Sequence, residues 1–124
     1  MKLIDVLEFP DFYRAVKDQK MPFKTAYKFY GLAHKIEEQT QFYRDKLNEI
    51  INEYSVKDEN GNITYSDDGD GIKIIPGKEA ECSEKIIELQ NLDIDIEPTI
   101  EPEELEQFEL MPTQIQGIAP FIKG

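Results

Sequence analysis

Nine side chains near the start of the chain combine the two chemistries needed to hold a flat anion. They are Tyr13, Arg14, Lys17, Lys20, Phe23, Lys24, Tyr27, Lys28 and Tyr30, cations interleaved with rings. Arginine and lysine hold a phosphate or carboxylate through charge-assisted hydrogen bonds, and tyrosine or phenylalanine can stack on a base. On a helix, Lys24 and Lys28 share a face, as do Phe23, Tyr27 and Tyr30, while Arg14 and Lys17 share a face of a preceding helix. The candidate ligand-binding residues are therefore Arg14, Lys17, Lys24, Tyr27, Lys28 and Tyr30. Packing between the two helices is the simpler use of the same aromatics, and lysines at this density also serve to solvate a helix face.

Other candidate chemistry is sparse. Asp68-Gly69-Asp70-Gly71 has the carboxylates at alternate positions and the glycine of a calcium loop, but counting from Ser66 the twelfth position is Gly77, where a bidentate glutamate is required. A plain polar turn is expected there. No glycine-rich phosphate loop precedes a helix, and Gly-x-Ser-x-Gly, His-Glu-x-x-His and Cys-x-x-Cys are missing from the sequence. His34 has no evident orienting partner for general-base work, and Cys82 sits among acids that would raise its pKa. The chain reads as a non-enzyme, with no cofactor and no metal expected.

Several elements must position these residues. Pro10 suits the first turn of a helix over about 10–19, and Pro22 restarts a second one after Lys20-Met21. From Pro22 to Tyr54 there is no further proline, which permits a helix of about 33 residues, on the order of 50 Å long. Ala26, Phe29, Ala33, Ile36, Thr40, Tyr43, Leu47, Ile50 and Tyr54 recur at alternating spacings of three and four, an apolar seam that needs cover. Asn60-Gly61, the favoured pair of a type I′ turn, predicts a β-hairpin with strands over about 56–58 and 63–65. Ile72–Ile75 reads as another strand, 78–91 as a helix folding back antiparallel, and Leu92-Asp93-Ile94-Asp95-Ile96 as a strand with its aliphatic residues inward. Phe108-Glu109-Leu110 extends the β content, a short helix spans about 112–119, and Phe121-Ile122 is apolar enough to dock.

The 124 residues suit a single domain, 1–124. With 40% hydrophobic and 32% charged residues the chain should fold, and no apolar stretch approaches the roughly 20 residues that span a bilayer. A lone cysteine fits a reducing cytosol. The net charge of −12 argues against a nucleic-acid polymer as partner. It hides an asymmetry: Met1–Lys35 carries seven basic and four acidic residues, so anions are expected at that end if anywhere.

Met21-Pro22-Phe23-Lys24, Lys57-Asp58-Glu59-Asn60-Gly61-Asn62, Pro76-Gly77-Lys78-Glu79, Leu92–Ile96 and Ala119-Pro120-Phe121-Ile122, in that layout, resemble small proteins encoded by phages of Gram-positive and gut bacteria, grouped as a domain of unknown function. The resemblance covers nearly the whole chain and implies a viral origin and the cytoplasm of the bacterial host. It brings no catalytic residues with it. The fold expected is α+β: a long antiparallel helical hairpin of prefoldin-like outline, with a small β-hairpin or sheet and extended C-terminal strands. The function expected is that of a phage accessory protein and homo-oligomer that counters bacterial defence by sequestering an anionic small ligand such as a signalling nucleotide. The alternatives are an inhibitor or adaptor docking a host protein through its acidic helix and Glu-rich connector, or a virion or tail-assembly component. No membrane partner is expected.

Overall fold

A computed structural model describes residues 1–66 and 71–124. Among the described residues there are four α-helices: α1, Phe9–Val16; α2, Phe23–Tyr54; α3, Glu79–Gln90; and α4, Pro112–Ile118, with single 3-10 turns at Leu3–Val6, Pro102–Leu105 and Ala119–Phe121. The chain separates into two compact units, one formed by Met1–Gln41 with Leu92–Gly124 and the other by Phe42–Asn91.

The first unit is built on phenylalanine. Leu3, Val6, Phe9, Phe12 and Val16 are fully buried at the spacings that put them on one side of a helical path, as are Phe29 and Ile36 of α2. Phe12 lies edge-on to Phe29 at 5.5 Å, Phe9 edge-on to Phe121 at 5.3 Å, and Phe29 reaches Phe108 at 6.1 Å. These separations are those of favourable aromatic pairs, and Phe9 and Phe12, 6.0 Å apart, join them, so five of the seven phenylalanines form one connected cluster. α4 lies so close to α1 that a Cβ on Gly117 would meet the Glu8 carbonyl oxygen at 2.5 Å. Both chain ends are tied in: the Leu3 and Ile94 amides donate to the Leu92 and Met1 carbonyls, and the Lys123 amide donates to the Ile100 carbonyl.

The second unit pairs the end of α2 with α3. Gln90 reaches Tyr43 at 3.5 Å while Tyr54 meets Glu81 and Cys82, so α3 runs back antiparallel along α2. Tyr43, Leu47 and Ile50 are only half-buried along this stretch, as two helices cover one another incompletely.

The α+β expectation is overturned. The protein is mainly helical, 58% helix, and its β content is limited to isolated bridges with no sheet among the described residues. The reason lies in how three short segments between α2 and α3 meet. The Val56 amide donates to Lys73, Lys73 to Thr64, and Thr64 back to Val56, at 2.8, 3.0 and 3.0 Å. Each segment therefore changes partner after one residue, and no ladder grows.

The turn also differs from the type I′ expectation. No described non-glycine residue has positive φ, whereas type I′ needs it at both central positions, so Asn60 is excluded. Instead Gly61, at φ 80°, ends a longer loop, Glu59-Asn60-Gly61, in which Asp58 Oδ1 accepts from the Asn60 and Asn62 amides at 2.8 and 2.9 Å. The C-terminal strands fail for a comparable reason. Leu92–Ile96 makes one bridge, Lys2 to Asp93, before the Ile96 amide turns back onto the Ile94 carbonyl at 3.0 Å. Leu92 points outward, and Phe108 ends an irregular turn instead of starting a strand. The Asp67–Asp70 part of the expected polar turn lies outside the described residues.

Candidate functional site

The buried line of α2 within the first unit is Thr25, Phe29, Leu32 and Ile36. Two positions earlier, about 200° around the helix, run Phe23, Tyr27, Tyr30 and His34. This second stripe faces away from the core. Phe23 is 82% exposed and Tyr27 66% exposed, and the two rings stack on each other at 5.9 Å and 27°. Tyr30 stands edge-on to the His34 ring at 4.4 Å, which places the histidine on the surface with a ring for a neighbour.

A hollow of about 310 Å³ opens beside this stripe, lined by Tyr13, Lys17, Met21, Phe23, Ala26, Tyr27, Phe29 and Tyr30. α1 supplies Tyr13, held by stacking on Phe9 at 5.7 Å and 15°. Lys17 caps the end of the same helix, Met21 comes from the connector, and the rest belong to the start of α2. The connector is short because Pro22 initiates α2, its carbonyl accepting from the Ala26 amide at 3.0 Å. The walls are chiefly apolar, with ring faces on one side and a single cation, Lys17, in the lining.

Of the six residues the sequence singles out, Lys17, Tyr27 and Tyr30 share this hollow. Lys24 is exposed on α2 outside its lining. Arg14 pairs with Asp11 at 3.3 Å on the surface of α1, an exposed contact one helical turn long. Lys28 is committed elsewhere: its ammonium donates to the Glu104 carboxylate at 2.7 Å and to the Thr99 carbonyl at 2.9 Å. With the two side chains 21% and 14% exposed, the pair is a largely buried tie from α2 to the 3-10 turn at Pro102–Leu105. The other oxygen of Glu104 is buried with no hydrogen-bond partner among the described residues. Lys28 and Tyr27 also border a separate groove of about 450 Å³ between α2 and the extended chain at Asp95–Thr99.

The six sequence candidates leave out Tyr13, Met21, Phe23, Ala26 and Phe29, which also line the hollow. The spacing of Phe23 and Tyr27 was the available signal for an exposed ring pair, but nothing local announces that Glu104, 76 positions away, takes Lys28. Among the described residues no group of three His, Cys, Asp or Glu side chains could hold a metal ion, and no helix is long and apolar enough to cross a membrane. Comparison with known proteins finds no matching family, no matching curated protein and no matching solved structure.

Proposed function

We propose that this is a non-enzymatic binding protein that captures a planar anionic small molecule of the nucleotide class in the hollow beside α2. The observation that carries the reading is the exposed Phe23–Tyr27 ring pair at the mouth of a hollow that also contains Lys17. Two large rings left mostly in water on the side of the helix opposite the core contribute little to the packing of their own unit. A flat ring stacked on them would recover part of that exposed apolar area, with stacking worth about 1–3 kcal/mol per base. Lys17 would hold the anionic group, and neighbouring Lys20 and Lys24, which make no ion pair among the described residues, would raise its local concentration. Relative to the six sequence candidates, the proposed set loses Arg14 and Lys28 and gains Tyr13, Phe23 and Met21. The resemblance to phage-encoded proteins supports sequestration of a bacterial signalling nucleotide as the biological use.

Isothermal titration with AMP, adenosine and inorganic phosphate as probes tests this. AMP is expected to bind more tightly than either half-molecule, with Phe23→Ala and Lys17→Glu each weakening it by about tenfold, about 1.4 kcal/mol. Unchanged affinity in both variants would remove the hollow from consideration.

A further inference from the structure

A second surface of the first unit has a chemistry opposite to the first. A groove of about 340 Å³ runs between α4 and the segment after the Pro102–Leu105 turn, with Leu105, Phe108 and Leu110 on one side and Ile115 and Ile118 on the other. Ile115, from α4, is 45% exposed and Met111 beside it is also exposed, so this apolar surface is not finished by the chain's own packing. Its surroundings are strongly acidic. Glu106 lines the groove, and Glu103 and Glu109 are exposed in the same segment. Glu101 is matched by Lys123 at 3.3 Å and Glu104 by Lys28, but no ion pair among the described residues reaches Glu103, Glu106 or Glu109. The groove is walled by side chains, and the one backbone pairing next to it, Ile100 with Ile122, is an isolated bridge. There is no ladder here for a strand to extend, so an occupant must be recognised through its side chains.

We infer that this groove is the docking site for a basic amphipathic helix of a partner protein, with aliphatic residues at i, i+3, i+4 and i+7 entering the groove and lysines or arginines meeting Glu103, Glu106 and Glu109. Charge complementarity selects the partner: an acidic or neutral helix would leave Glu106 of the groove wall, and the exposed Glu103 and Glu109 of the same segment, unmatched, whereas a basic one is steered in and held in register. This surface shares no lining residue with the aromatic hollow. The inference therefore stands whether or not a nucleotide binds there.

The test uses the whole 124-residue chain and a synthetic helical peptide of roughly 18 residues made of Leu and Lys in that pattern, with a scrambled peptide of the same composition as control. Fluorescence anisotropy is expected to show the patterned peptide binding at least about tenfold more tightly than the scrambled one. Ile115→Asp and the pair Glu106→Lys with Glu109→Lys should each weaken the patterned peptide by about tenfold or more. All three are partly or fully exposed positions, and circular dichroism of each variant establishes that it is folded. Equal binding of patterned and scrambled peptides would reduce the effect to general charge attraction and overturn the inference. Undiminished binding by folded Ile115→Asp would overturn it too. Sedimentation velocity without peptide supplies the remaining arm: self-association abolished by Ile115→Asp would show that a second copy occupies the groove and contradict the assignment.

Discussion

Gly117 shows how one missing side chain sets the packing of the first unit. Its Cβ would lie 2.5 Å from the Glu8 carbonyl oxygen and 2.9 Å from Phe12 Cβ, and the backbone that caps α1 cannot yield as a flexible side chain would. Gly117→Ala is therefore expected to destabilise the protein by about 1–3 kcal/mol, read by urea unfolding. Cys82 offers a chemical readout of the second unit: burial pushes its thiol above the ordinary range. Iodoacetamide at neutral pH should label it slowly in the native protein and rapidly in urea; equal rates would mean that the α3 face is open. At this level the sequence was partly legible. The chain reversal at Asn60-Gly61 was visible, but the turn type was not, because Asp58 satisfies two amides with its side chain and leaves only glycine in the left-handed region.

The helices were legible where proline and spacing mark them, since Pro10, Pro22 and Pro112 each sit within one residue of a helix start. The strands were not. Alternating sequence specifies an extended backbone but not how many residues pair before the partner changes, and Val56, Thr64 and Lys73 change partner at once. Lys28 illustrates the same limit in the site, since its charge suggested a ligand while its partner lies on a distant turn. Lys28→Met would strand the Glu104 carboxylate and is expected to cost about 1.5–3 kcal/mol of stability. Affinity for AMP should change less than about twofold, because Lys28 does not line the hollow. A large loss of affinity in the folded variant would return Lys28 to the site.

Where α2 meets α3, burial of Tyr54, reinforced by Glu53 and Glu81, raises its phenol above the ordinary value of 10.0. The folded state therefore prefers the neutral phenol. Its contribution is fully present below the unfolded pKa and is lost as pH rises through that value toward the folded one. Alkaline unfolding monitored by circular dichroism should be less steep in Tyr54→Phe than in the wild type.

Across the 124 residues, net charge −12 coexists with a basic N-terminal stretch, and this contrast was readable from sequence because charge counts need no fold. What sequence could not apportion is which cations remain available. Lys17, Lys20 and Lys24 make no ion pair among the described residues, whereas Arg14 and Lys28 do. If lysines steer the ligand, affinity for AMP should fall as salt rises from about 0.05 to about 0.5 M, while adenosine binding should change little. The capture reading is tested most directly by aromatic-region NMR of the wild-type protein titrated with AMP. Ring signals of Phe23, Tyr27 and Tyr30 are expected to shift progressively and to saturate, while those of Tyr54, buried in the other unit, stay in place. No saturable shift in the Phe23 and Tyr27 rings, or shifts confined to rings outside the hollow, would contradict the account.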